Sequence, residues 1–203
     1  MSAPARVVKE WPRPELTAPR PREGPQSPWR SEGEGPGEGP PRLYLHVDIL
    51  ANIARRAQEG ALRRREDMAL LIGDWARDEE GRVYAVAWDM PTGPLEASPV
   101  SVRFKPEGLV QVARELNGQD RPYVVVGWYH THLDLGVFMS ERDLRTQRGG
   151  FPHLHQVALV VDPMRGLAGA FANGQLGPGT ERCPFASYQV WDQGTGGDVA
   201  RRE

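Results

Sequence analysis

From residue 43 onward the apolar positions recur with two periods, and the switches between them mark out the elements. LYLHV (43–47) is extended and leads into Ile49, Leu50, Ile53, Ala54 and Ala57, whose spacing predicts an amphipathic helix lying on a sheet. In MALLIGDWARDEEGRVYAVAWDMP two short apolar runs flank the polar turn Asp78-Glu79-Glu80-Gly81, the pattern of a hairpin. TGPLEASPVSVRF combines turn residues with one brief alternating strand at Val100, Val102 and Phe104. A second helix is predicted after it, with Pro106 at its first position, Gly118 at its end, and an apolar face of Leu109, Val110, Val112, Ala113 and Leu116.

PYVVVGWYH is too uniformly apolar for a half-exposed strand and is expected at the centre of the sheet. Beyond it, SERDLRTQRGG reads as a short helix closed by glycines, and HQVALVVDP, GLAGAFANG and ASYQVWD as three further strands. The order predicts an α+β (α/β-like) fold: a mixed sheet flanked by helices, in one domain from about 43 to 192. No internal repeat is visible.

Composition shortens the usable chain. Residues 1–42 are crowded with proline and glycine and carry no period that could bury an apolar face, so they are expected to be a disordered N-terminal tail, with residues 193–203 a flexible C-terminal one. A net charge of -2 argues against a general nucleic-acid binder or an anionic-membrane binder. The basic runs Arg55-Arg56 and Arg63-Arg64-Arg65 fit a solvated helix face. The one cysteine, Cys183, excludes an intramolecular disulfide and has no histidine near it in sequence, so a structural thiol is expected. No apolar run is long enough to span a membrane, and no secretory signal is visible; a soluble cytoplasmic protein is the expectation.

Chemistry concentrates in HTHLDLGVFMSERD, residues 130–143. His130 and His132 stand at i and i+2 at the end of a predicted strand, so both imidazoles point to the same side and can share a metal ion. Asp143, at the start of the following helix, can supply a third ligand. Three protein ligands with a fourth position left to water describe a catalytic zinc rather than a structural one. Zinc suits imidazole and carboxylate donors, although iron, manganese or nickel could use the same set. Such a site also needs a group to carry a proton, usually a carboxylate.

These residues carry a resemblance. HTH, seven residues, then SERD is similar to the HxH-x7-SxxD signature of the JAMM (MPN-plus, JAB domain) zinc metalloproteases, which include deubiquitinases and prokaryotic relatives. The flanking VVGWYHTH, GVFMS and VVDP, and Glu66 at the head of EDMALLIG, also look like that family. The likeness runs from about 43 to 192. It implies a single MPN/JAB domain with the three-layer arrangement of cytidine deaminases, one zinc ion held by His130, His132 and Asp143, Glu66 as general base and acid, and Ser140 as donor to the oxyanion. Ala69 stands where the family commonly has glycine, and Leu133 where it often has proline.

Each residue has a structural alternative. Ser140 and Asp143 also form a helix capping box, which is compatible with the site. Asp67 competes with Glu66 for the proton-carrying role. His153 and His155 repeat the HxH spacing but lack a completing acid, so a loop is expected there; His46 is expected at the sheet edge or a helix start. Asp134 reads as a solvated acid or as a partner orienting a histidine. Trp128 shares the face of His130 and could wall the metal or pack in the core.

The resemblance implies a peptidase or isopeptidase acting on a ubiquitin-like protein or its conjugates, whose extended tail could add as a strand beside the catalytic strand. It also admits a bacterial ubiquitin-like or antiphage pathway, to which the Arg-, Gly-, Pro- and Ala-rich composition inclines. Conjugation-pathway enzymes could dock on the N-terminal tail through Trp11 or Trp29. The alternatives are a non-catalytic MPN scaffold and a metallopeptidase whose substrate is unrelated to ubiquitin-like proteins.

Overall fold

The structure, a computed structural model, describes residues 16–17, 29–31, 39–118, 123–174 and 179–188. The expected C-terminal tail and Trp11 lie outside the described residues, as does the end of the last expected strand. Of the N-terminal stretch, the described part includes two short strands, β1 (Leu16–Thr17) and β2 (Arg30–Ser31). The domain proper begins with β3 (Leu43–His46) and α1 (Val47–Leu62), then the hairpin β4 (Met68–Arg77) and β5 (Val83–Asp89). A second, small hairpin follows, β6 (Leu95–Ser98) and β7 (Ser101–Phe104), then α2 (Pro106–Asn117) and β8 (Val124–Thr131). The chain continues through α3 (Glu141–Gly150), β9 (Val157–Asp162), β10 (Leu167–Asn173), β11 (Thr180–Cys183) and β12 (Phe185–Tyr188).

The main sheet is mixed, in the order β11-β10-β9-β8-β4-β5-β3-β12, with β1 added to β4 and β2 to β10. One face carries Leu43, Leu45, Leu71, Val126, Tyr129 and Leu159 against Ile49, Leu50, Ile53 and Ala57 of α1. The other face carries Ile72 against Val112 and Leu116 of α2, and Met68, Trp128 and Val160 beside Phe151 at the end of α3. The helices therefore flank the sheet in the expected three layers. Among the described residues no helix is long and apolar enough to cross a membrane.

Strand β8 is paired on both sides, antiparallel to β4 and parallel to β9, which explains its unbroken apolar sequence. From Gly127 to Thr131, the end that carries the histidines, it is paired on both edges, so a substrate strand cannot add beside it there. Close approach of β9 also requires a glycine in β8: a Cβ at Gly127 would stand 1.9 Å from the carbonyl oxygen of Val157. Gly127→Ala is expected to force the two strands apart and destabilise the fold by about 1–3 kcal/mol, read as a lower denaturant midpoint.

Two local expectations are corrected. The one brief strand around Val100 is a hairpin, with Leu95–Ser98 pairing with Ser101–Phe104 and Val100 exposed at its turn. Helix α2 buries Gly108, Val112 and Leu116, and leaves Leu109 and Val110 about half exposed. The reason lies at Gly108, where an added Cβ would meet the Pro94 carbonyl oxygen at 2.4 Å. Docking through this bare backbone rolls the helix so that Leu109 and Val110 turn outward, a contact that hydrophobic spacing does not encode.

Candidate metal centre

The end of β8 and the start of α3 bring three side chains together. His130, His132 and Asp143 are all buried, and one ligand atom from each lies within 4.8 Å of the others. The carboxylate of Asp143 divides itself between the imidazoles: Oδ1 is 3.5 Å from His130 Nε2 and Oδ2 is 3.6 Å from His132 Nε2. These separations are too long for hydrogen bonds. Both ring nitrogens of His130 are buried without a hydrogen-bond partner among the described residues. A buried imidazole left unsatisfied is costly, and a cation among these atoms removes that cost. His132 donates through Nδ1 to the Gly136 carbonyl at 2.8 Å, which leaves Nε2 with its lone pair toward Asp143.

Charge in the site follows from this packing. Burial lowers the pKa of His130 and favours its neutral form, although Asp143 pulls the other way. For His132 burial also acts downward, but the nearby carboxylate of Asp143, the bond to Gly136 and the charge of Glu66 outweigh it and raise the pKa. Burial alone would raise Asp143, yet His130, His132 and Ser140 hold its carboxyl far below the usual carboxylate range. The acid therefore stays ionised under all ordinary conditions.

The capping-box reading of Ser140 and Asp143 holds, and it leaves the carboxylate facing the histidines. Ser140 caps α3, its hydroxyl oxygen accepting from the Asp143 N–H at 3.2 Å while Asp143 Oδ2 accepts from the Ser140 N–H at 2.8 Å. The capping box fixes the same carboxylate that faces the histidines.

Glu66 arrives from the neighbouring strand. The ladder pairs Met68 with His130, and continuing it by two residues sets Glu66 opposite His132. Glu66 is buried, with its backbone N–H donating to Ser98 of the small hairpin at 2.9 Å. Burial pushes its carboxyl up to about 7; His132 lowers it, Asp143 raises it and Arg142 lowers it. A carboxyl poised near neutrality can both take and return a proton.

Asp67 is occupied elsewhere. Strand alternation turns it to the opposite face, where it pairs with Arg56 of α1 and accepts a hydrogen bond from the Tyr129 hydroxyl. Its N–H meets Thr131 Oγ1 at 2.7 Å, so this back face ties the strand carrying Glu66 to the strand carrying the histidines.

Trp128 lies against the site, its ring stacked on His130 at 4.4 Å and 13° and on Phe151 at 5.6 Å on its other side. Its indole N–H donates to Gln147 Oε1 at 2.6 Å. Sequence reasoning missed Gln147, yet its position four residues after Asp143 on α3 was a usable signal, since i and i+4 share a helix face. Phe138, packed on the His132 ring at 4.8 Å, was missed as well.

The remaining candidates lie away from the metal group. His153 and His155 pack about Trp75 at 5.6 and 6.1 Å, and His46 caps α1, accepting from the Asp48 N–H at 3.3 Å. Asp134 pairs with Arg165 at 3.0 Å, and no described contact joins it to a histidine. Cys183 is buried, its thiol pushed up to about 11 by burial, as expected of a structural cysteine. Trp29, considered as a partner-binding residue, packs against the core of the domain. Ala69 is fully buried opposite Tyr129, and Leu133 is half-buried at the start of the loop after β8.

Comparison with known proteins locates the same region. The family model described as JAB1/Mov34/MPN/PAD-1 ubiquitin protease matches residues 39–149, more than half of the chain. The 26S proteasome regulatory subunit rpn11 of Schizosaccharomyces pombe is 32% identical over 130 residues, covering 63% of this chain and 40% of that protein. The 26S proteasome non-ATPase regulatory subunit 14 of Drosophila melanogaster is 34% identical over 131 residues, with the same coverage of 63% and 40%. The ubiquitin carboxyl-terminal hydrolase RPN11 of Saccharomyces cerevisiae is 32% identical over 129 residues, again covering 63% and 40%. The chain thus spans about two fifths of the length of these relatives. Among solved structures, a Desulfitobacterium hafniense protein shares the fold with a TM-score of 0.53 and 17% identity, covering 74% of this chain and 95% of that one.

Proposed function

Because this chain belongs to the JAB1/Mov34/MPN/PAD-1 ubiquitin protease family, we propose that it is a zinc-dependent metallo-isopeptidase that hydrolyses the peptide or isopeptide bond after the C-terminus of a ubiquitin-like protein. The observation that carries the reading is the convergence of Glu66 on the buried group His130, His132 and Asp143, with both His130 nitrogens unsatisfied. The yeast relative named as a ubiquitin carboxyl-terminal hydrolase supports the substrate class. The Arg-, Gly-, Pro- and Ala-rich composition supports placing the substrate in a bacterial ubiquitin-like pathway, antiphage systems included.

The donor set fits zinc: two imidazoles and one carboxylate, the second imidazole fixed through its distal nitrogen by Gly136. Bound there, zinc would supply Lewis acidity toward the scissile carbonyl and a water acidified toward neutrality. Glu66 takes the proton from the attacking water and returns it to the leaving amine. Ser140 uses its oxygen to cap α3, so its hydroxyl hydrogen is the donor for the developing oxyanion. Trp128 and Phe138 cover the imidazoles and keep bulk water from them. With the histidine end of β8 closed on both sides, the two-stranded β6–β7 sheet, bonded to Glu66 through Ser98, is where an extended substrate tail would add as a strand.

The test is cleavage of a linear fusion to a ubiquitin-like protein, with metal content measured in parallel. Stripping with a chelator should abolish cleavage and added zinc should restore it; purified protein that neither holds nor takes up a divalent metal sinks the reading. The pH profile is a second prediction. Glu66 must be ionised to accept a proton, so kcat/KM falls on the acid side. A dication facing the carboxylate favours its charged form, which places that limb at or below the pH of about 7 at which Glu66 titrates in the metal-free protein.

A further inference from the structure

The loop that follows His132 is held by a carboxylate that the chemistry above does not use. Asp162, at the end of β9, is completely buried. Its Oδ2 accepts from the Gly136 N–H at 2.8 Å, and its Oδ1 from the N–H groups of Asp134, Met164 and Arg165 at 3.2, 3.1 and 3.2 Å. The Arg165 guanidinium lies 3.8 Å from the same carboxylate through Nε. It also closes over the loop from outside, Nε donating to Asp134 Oδ1 at 3.0 Å and Nη2 to the Asp134 carbonyl at 2.9 Å.

The loop needs such a hold. Asp134 has φ 65° and Gly136 φ 86°, so two of its residues sit in the left-handed region, which an aspartate adopts only at a cost. Both are residues whose N–H is bonded by Asp162. The carbonyl of Gly136, turned inward by this conformation, accepts from His132 Nδ1. His132 also donates its backbone N–H to Val161, the residue before Asp162.

We propose that Asp162 is the positioning residue of His132: it fixes Gly136, and Gly136 in turn fixes the tautomer and the ring orientation that present Nε2 to the metal. Metal-bound histidines commonly give their second nitrogen to a carboxylate directly. Here a loop carbonyl intervenes, and the carboxylate acts one step back. The link is geometric: the bonded N–H and C=O of Gly136 belong to different peptide groups. The inference rests on the metal-centre reading proposed above for its consequence, but not for its geometry.

The experiment compares wild type with Asp162→Asn. The amide keeps one acceptor but points an N–H₂ at N–H groups that need an acceptor, so the loop is released without a change of size. Zinc affinity measured by chelator competition should weaken about 10–100-fold. In the chelated protein, the hydrogen-bonded His132 Nδ1–H resonance seen in wild type should broaden or vanish. A purely structural role for Asp162 would lower thermal stability and leave that resonance intact. A folded Asp162→Asn protein with wild-type zinc affinity and an unchanged His132 signal overturns the proposal. If the variant does not fold, wild type decides: the Gly136 amide and His132 Nδ1–H should exchange with matched protection, and free exchange at Gly136 refutes the link. Wild type that binds no zinc removes the metallo-isopeptidase reading, while the His132 resonance still decides whether Asp162 orients the ring.

Discussion

Glu66→Gln is expected to lower kcat for cleavage of a ubiquitin-like fusion by a factor of about a hundred to ten thousand while leaving the bound metal in place. The amide matches the carboxylate in shape but cannot accept and return a proton. Glu66 lies opposite His132 on the neighbouring strand and is absent from the group of three that could hold the ion, which is why metal content should be preserved. The same substitution should stabilise the chelated protein at alkaline pH. The folded-state pKa of Glu66, about 7, stands above its ordinary value of 4.5, so folding favours the protonated carboxyl. Its contribution is fully present below the unfolded value and is lost as pH rises through about 7. Glutamine carries no such loss, and the gap at pH 8 is roughly 3 kcal/mol at most. A thermal midpoint for Glu66→Gln that exceeds wild type at pH 8 but not at pH 5, together with the fall in kcat, would mark a residue kept for chemistry at the expense of stability. Equal kcat in the two proteins rules out Glu66 as the proton carrier.

Asp143→Asn should act on the ion itself. One carboxylate oxygen faces each histidine, so an amide must turn its N–H₂ toward one of them and withdraw the negative charge from both. Removing one partner of a buried charge interaction costs about 3–5 kcal/mol, or about two to four orders of magnitude in affinity. Stoichiometric metal should be lost on dialysis, and cleavage should fall to that of chelated wild type. The remaining amide oxygen can still accept from the Ser140 N–H, so α3 should keep its start and the circular dichroism its helical signal. Full zinc occupancy in Asp143→Asn would remove the residue from the ligand set.

The clustering of the candidate site was legible in sequence where one short segment builds it. HTH at the end of an apolar strand and SERD at a helix start carry both the spacing and the local geometry, because strand alternation and helix capping are set by neighbours in the chain. Period two also gave the face of Trp128. What escaped depends on contacts between distant segments. Asp67 is adjacent to Glu66 and of the same chemistry; alternation puts the two on opposite faces, and the packing of α1, which brings Arg56 to Asp67, shows which of them is left for the histidines. Gln147 gains its meaning from the indole of Trp128, and Asp162 from backbone groups of a loop nearly thirty residues earlier. The outward turn of Leu109 and Val110 follows from a close approach at Gly108, and bare hydrophobicity pointed the wrong way there.

The pairing of β8 on both sides has a bearing on how an ion would leave. Local opening follows the least protected parts of a fold, and a strand bonded along both edges opens only when the whole molecule does. His130 stands in that strand and His132 one residue beyond it, so both should be among the slowest to exchange, whereas Asp143 sits on a ten-residue helix that Ser140 caps after a loop. The cage is hinged on one side. Release of its ion should track fluctuations of α3, with a rate set by that helix and insensitive to changes in global stability made elsewhere in the sheet.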